Sequence, residues 1–337
     1  MAANQRELTR IKLTLSLCLA LGGCGRYADF ALPPPEPSGP RAPFTWSAGP
    51  NPLLQRGSSG EWDASDVLNP SVVKFGGAYL NLYSGFDGKT WHTGVAMTPD
   101  GEHWQKLGRV LSPEGWEGSY IAANGSAIVA GTEILYWYQA GDPVRIGLAR
   151  SSNGRDWRRH PEAVFNPGPY GSFDERGVAD PYVIRAGEWF VLFYLGANRA
   201  GQQQLGMARS ADGVRWEKLR SNPILEIGSA GAFDENGLGE PAVWSSGGSY
   251  WMLYTGRDRG ERRRIGLARS ADGVHWSRDS AFSPIAGDQP WNRAVMCDPS
   301  VEVTPAGVRV WFGGGDVPHP AERINGMIGV GMLRGAP

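Results

Sequence analysis

Short apolar runs, five or six residues long, recur along this chain, and each is bounded by turn-forming residues. Five of them are aromatic: 79–83, 134–138, 189–194, 250–254 and 308–312. Runs of this length flanked by Gly, Asp and Asn read as buried strands, and no long helical periodicity follows the first residues. A second pattern lies downstream of four of these runs. Asp100-Gly101, Asn153-Gly154, Asp212-Gly213 and Asp272-Gly273 are each followed three residues after the glycine by Trp104, Trp157, Trp216 or Trp276. Asp-Gly and Asn-Gly predict type I′ hairpin turns. A third pattern opens each unit, with an aromatic residue placed upstream of an acid or amide that is usually followed by Pro and a β-branched run. Trp62 leads to Asn69-Pro70, Phe173 to Asp180-Pro181, Phe233 to Glu240-Pro241, and Trp291 to Asp298-Pro299. A looser copy runs from Trp116 to Asn124-Gly125.

Those acids and amides are spaced 55, 56, 60 and 58 residues apart. A four-stranded unit repeated at this interval predicts an all-β fold, a five-bladed β-propeller whose first strands line a central axis. The fifth unit stops after its third strand, near residues 329–333. Phe44-Thr45-Trp46 followed by Asn51-Pro52-Leu53-Leu54 resembles Trp216 followed by Asn222-Pro223-Ile224-Leu225. An N-terminal strand near 44–54 is therefore expected to complete the last blade, leaving no free edge.

Composition adds to this picture mainly at the N-terminus. Glycine (48) and tryptophan (14) suit many tight turns with large aromatics packed between sheets. The formal charge is −1 with acids and bases interspersed, which excludes a nucleic-acid partner. Arg6, Arg10 and Lys12 precede a short apolar stretch, 13–21, that ends in Leu21-Gly22-Gly23-Cys24. That ending resembles the lipobox of bacterial lipoproteins, in which the cysteine is acylated. The expected organisation is a signal over 1–24 with lipidation at Cys24, a Pro-rich tether over 25–43, and the propeller over 44–337. The protein would be exported and lipid-anchored in the cell envelope. Cys18 would be lost with the signal and Cys24 would carry lipid, which leaves only Cys297, so no intramolecular disulfide is expected.

The residues opening the innermost strands read Asn69, Asn124, Asp180, Glu240 and Asp298 around the ring. Carboxylates gathered in a funnel repel one another and raise a pKa, the setting for acid catalysis at a glycosidic bond. The combination of Phe-Asp-Glu-x-Gly-x-x-[Asp/Glu]-Pro, Ile-Gly-Leu-Ala-Arg-Ser and Asp-Gly-x-x-Trp resembles the five-bladed propellers of glycoside hydrolase families 43, 32 and 68 and the related family 130. The resemblance covers the chain after residue 43. It implies a base Asp in blade one, a pKa-modulating Asp in blade three and an acid Glu in blade four. Asp180 and Glu240 match the last two, whereas Asn69 stands where the base belongs. Three resolutions are open. Asp298 serves as base, or Asp66 or Asp63 reaches the funnel, or the funnel only binds a glycan. A carbohydrate is the expected ligand, with Asn69, Asn124, Asp66, Trp62 and Arg257 as candidate binding residues. The five histidines show no metal-ligand spacing, so neither a metal site nor a cofactor is expected, a hub calcium as in some relatives being left open.

Overall fold

The computed structural model describes residues 26–50 and 52–336. The signal segment and Cys24 lie outside the described residues. Two strands precede the first blade: β1 (Arg26–Ala28) and β2 (Arg41–Ala48). Blade one is β3 (Asp66–Phe75), β4 (Ala78–Phe86), β5 (Trp91–Thr98) and β6 (Gln105–Leu111). Blade two is β7 (Ala122–Ala130), β8 (Glu133–Ala140), β9 (Arg145–Ser151) and the short β10 (Arg158–Arg159). Blade three is β11 (Gly177–Ala186), β12 (Trp189–Ala197), β13 (Gln203–Ser210) and β14 (Glu217–Leu219). Blade four is β15 (Gly237–Ser246), β16 (Ser249–Arg257), β17 (Arg263–Ser270) and β18 (Ser277–Arg278). Blade five is β19 (Val295–Thr304), β20 (Gly307–Gly315), β21 (Met327–Ala336) and, as its outer strand, β2.

Each blade is an antiparallel meander, and β2 closes the ring as the repeat count requires. The register of β2 runs from Arg41 opposite Ala336 to Ala48 opposite Gly331, with a further bridge from Leu54 to Ile328. Blade five meets blade one through Trp311, whose indole N–H donates to the Gly101 carbonyl at 3.1 Å, and through the ion pair Lys74–Glu302 at 2.6 Å. The aromatic runs are the second strands. Leu192, Phe193 and Tyr194 are all fully buried because both faces of a blade pack on neighbours, which is why these strands read as continuous apolar runs.

The aromatic residue that opens each unit lies over its own blade. Phe173 covers Gly196 and Gly206, where a Cβ would come within 2.4 Å of its ring. Trp62 does the same over Gly85 and Gly94 and packs on Tyr83, so it belongs to the core of blade one and not to the funnel. The Asp-Gly turns are not type I′, because only the glycine takes positive φ. In each, a Ser or Thr two residues before the Asp or Asn accepts the glycine N–H, and that Asp or Asn accepts the next two backbone N–H groups. The side chains hold the turn, so one positive φ suffices.

The Pro-rich segment does not stand clear as a tether. β1 pairs in parallel with β14, Leu32 covers Gly273, and Tyr250 donates to the Pro33 carbonyl at 2.9 Å. Gly247 and Gly248 then donate to the carbonyls of Ser38 and Glu36 at 2.8 Å. Residues 26–40 thus form a strap across blades three and four. The strap contacts the hairpin of β15 and β16 and the turn after β17, which lie on the face opposite the funnel mouth.

Candidate active site in the central funnel

Asn69, Asn124, Asp180, Glu240 and Asp298 all occupy the left-handed region, with φ between 48° and 54°. Each sits at a register break in its first strand, a β-bulge that aims the side chain inward. Asn and Asp tolerate this backbone because their short polar side chains bond locally. Glu does not share that advantage, so Glu240 is held there by its surroundings. The following Pro fits because the bulge asks for no ladder N–H at that point.

Hydrogen bonds run around the ring from blade to blade. Asn124 Nδ2 donates to Asp180 Oδ1 at 2.7 Å, and the Glu240 N–H donates to Asp180 Oδ2 at 3.2 Å. The Asp298 N–H donates to Glu240 Oε2 at 3.2 Å, and the Asn69 N–H to Asp298 Oδ2 at 3.1 Å. The ring closes a cavity of about 310 Å³ that also exposes Gln139, Gln203, Thr255, Arg176, Arg257 and Arg263. Below it, the residues after each ring position narrow the channel to a void of about 30 Å³.

The three carboxyls differ in environment. Glu240 is half-buried and open to the cavity, while Asp180 and Asp298 are 9% and 4% exposed. Burial, reinforced by the Glu240 charge, pushes Asp180 up to about 7 against the bonds from Asn124 and the Glu240 N–H. Burial and then the charge and hydrogen bond of Glu240 push Asp298 well above the carboxylate range. Its Oδ1 is buried and has no hydrogen-bond partner among the described residues. Cys297 is buried beside it, Sγ 3.2 Å from Asp298 Oδ2, and burial holds the thiol protonated. Glu240, Cys297 and Asp298 each offer one ligand atom within 4.8 Å of the others, a donor set that a cation would use. The Arg263 guanidinium already places a positive charge against all three, so the site fits a metal poorly.

Residues 72–297 match the glycosyl hydrolases family 32 N-terminal domain. The chain belongs to that family. It is 31% identical over 234 residues to the uncharacterized protein Rv1502 of Mycobacterium tuberculosis (strain ATCC 25618 / H37Rv), covering 62% of this chain and 75% of the relative. Its fold is shared with a thermostable family-43 glycoside hydrolase (TM-score 0.63, 15% identity, 80% of this chain and 94% of that one). It is also shared with the Bombyx mori GH32 beta-fructofuranosidase BmSUC1 (TM-score 0.61, 18% identity, 86% and 63%).

In this glycosyl hydrolase propeller the other sequence candidates separate clearly. Asp66 is fully buried and turned away from the funnel, its carboxylate accepting the N–H groups of Arg323, Ile324 and Gly326 at 2.5–3.1 Å. It anchors the last loop of blade five. Asp63 is taken up by Tyr83 at 3.0 Å and Lys106 at 2.6 Å. The same buried acid–tyrosine–cation group recurs as Glu117–Tyr138–Arg159, Asp174–Tyr194–Lys218 and Asp234–Tyr254–Arg278. The sequence carried its signal, an acid directly after four of the five opening aromatics (Asn292 follows Trp291) and a cation two residues after each turn tryptophan. Arg257 does reach the cavity. Arg263 stands in a run of neighbouring arginines after the fourth aromatic strand, and the buried face of β17 selects it over Arg262 and Arg264.

Proposed function

We propose that this propeller acts on an oligo- or polysaccharide in its funnel, with Glu240 as proton donor and Asp180 as the neighbouring carboxyl that sets its charge. One observation carries the reading. A glutamate, the acid least suited to left-handed backbone, is held at φ 51° where it is the only ring carboxyl substantially open to the cavity. Asp180, with a pKa of about 7, exchanges protons readily near neutrality beside it. The test is release of product from a panel of aryl glycosides and oligosaccharides by the wild type and Glu240→Gln. A loss of about 10²- to 10⁴-fold is expected for removal of a general acid. Unchanged activity in the variant would sink the assignment.

A specific observation favours a second reading, glycan binding without turnover. Blade one offers Asn69, which cannot accept a proton, Asp66 and Asp63 are used elsewhere, and Asp298 is held protonated. Saturable oligosaccharide binding without product, unaltered by Glu240→Gln, would select it. In either case we propose export and lipid anchoring to the bacterial cell envelope through Cys24, on the strength of the basic segment, the 13–21 apolar stretch and Leu21-Gly22-Gly23-Cys24. Metabolic labelling with a fatty acid that is lost in Cys24→Ala tests this.

A further inference from the structure

Arg257 and Arg263 are Cα partners, directly opposite each other on β16 and β17 at the mouth of the funnel. Like charges directly opposite on paired strands destabilise a sheet. The other blades avoid the arrangement at the same register. Blade three places Ala197 opposite Gln203 and blade one Phe86 opposite Trp91, while the position equivalent to Arg257 is Gly141 in blade two and Gly315 in blade five. Blade four alone puts two guanidiniums together there.

Both donate their hydrogen bonds to neutral acceptors, and among the described residues only Arg257 adds an ion pair, to Glu261 at 3.4 Å. The Pro320 carbonyl takes Arg263 Nη2 at 2.8 Å and Arg257 Nη1 at 3.3 Å, and the His319 carbonyl takes Arg263 Nη2 at 3.0 Å. Gln203 takes Arg257 Nη2 at 2.9 Å. Arg263 is only 8% exposed, and among the described residues no carboxylate comes within ion-pair reach of it. Arg257 has a single acidic neighbour, Glu261 at 3.4 Å, and its buried Nε has no hydrogen-bond partner there. A third guanidinium, Arg176, lines the same cavity and is exposed. Burying a guanidinium is costly, and here the buried Arg263 and the half-buried Arg257 lie side by side, aimed into the cavity mouth by backbone carbonyls and with no carboxylate among the described residues bridging the two. The planar fork of arginine suits an oxyanion better than a neutral hydroxyl.

We infer that the Arg257–Arg263 pair is a clamp for an oxyanion, and that the glycan taken by the funnel carries an acidic group there, a sugar carboxylate or a phosphoryl group. The raised pKa values of Asp180 and Asp298 fit this, since protonation of both lowers the negative charge facing the clamp. This inference rests on the glycan-processing reading of the same funnel.

The test is calorimetric titration of the purified chain with uronic-acid oligosaccharides and with the same oligosaccharides after reduction of their carboxylates. Sugar phosphates and inorganic phosphate form separate arms. The wild type is expected to bind an acidic arm at least tenfold more tightly than its neutral counterpart. Arg257→Gln, at the rim of the cavity, should abolish that preference while keeping the wild-type melting temperature, and Arg263→Gln should do so where it folds. Preference for uronic acids assigns the clamp to a carboxylate, and preference for sugar phosphates assigns it to a phosphoryl group. Equal binding of acidic and neutral sugars, or a preference that survives Arg257→Gln, overturns the clamp and leaves the glycan reading standing. Binding of inorganic phosphate with no carbohydrate bound in any arm supports the clamp and defeats the glycan reading. No binding in any arm defeats both.

Discussion

Replacing Asp180 by asparagine should remove a pH dependence of stability and reverse the ranking of the two proteins across a defined window. An ordinary aspartate has a pKa of 3.8, and burial beside Glu240 raises that of Asp180 to about 7 in the folded protein. Below pH 4 the carboxyl is protonated in both states and favours neither. Between pH 4 and 7 only the folded state keeps the proton, so stability falls as pH rises. At about 1.4 kcal/mol per pH unit the full loss amounts to ~4 kcal/mol by pH 8. The amide of the variant would carry no charge at any pH, but it offers one acceptor oxygen to the two donors that Asp180 satisfies, at a cost of about 1–2 kcal/mol. Asp180→Asn should therefore be less stable than the wild type by about 1–2 kcal/mol at pH 4 and more stable by about 2–3 kcal/mol at pH 8. The two curves should cross in between. Urea unfolding of both proteins at half-unit steps from pH 4 to 8 reads this directly. Parallel curves, or a variant still weaker at pH 8, would refute the burial argument for Asp180.

Three further outcomes follow from the same geometry. Lys218→Met leaves Asp174 buried without its cation and should cost about 3–5 kcal/mol in urea unfolding. Lys106→Met should cost clearly less, because the Lys106 side chain is 30% exposed and water can reach Asp63. Asn69→Asp keeps a residue type at home in left-handed backbone but adds a charge whose backbone N–H already meets Asp298, so it should cost about 1 kcal/mol at pH 8 and less at pH 5. If a missing blade-one base limits turnover, the same variant should raise glycoside hydrolysis above wild type, and a folded variant without any gain argues against that role. Gly331→Ala drives a Cβ to 2.1 Å from the Trp46 ring and should cost about 1–3 kcal/mol. Hydrogen exchange should then speed up in β2 before any other strand.

The blades and the ring could be read from the sequence because each depends on contacts local to one repeat. A bulge residue at a fixed offset before a β-branched run announces itself five times over. What escaped reading depends on pairs far apart in the chain. Lys218 meets Asp174 across 44 residues, and neither residue type alone marks a buried ion pair. Asp66 was a reasonable funnel candidate by its distance from Asn69, but its partners, residues 323–326, come from the other end of the chain. Arg263 stood within a basic cluster, and only the alternation of β17 against its neighbours separates it from Arg262 and Arg264. The Pro-rich composition of residues 31–43 foretold an extended segment, yet composition cannot say whether such a segment lies free or against a surface. Here Leu32, Pro33 and Glu36 each find a partner on blade four.

The five left-handed bulges make the ring a set of equivalent sockets. Backbone geometry, not side-chain identity, fixes where each occupant points, so exchanging Asn for Asp in a socket changes its charge and hydrogen bonds while the strand path stays the same. The funnel's charge pattern can therefore be rewritten one position at a time while the scaffold persists. Two amides beside three acids are one arrangement among many that this same propeller could carry without refolding.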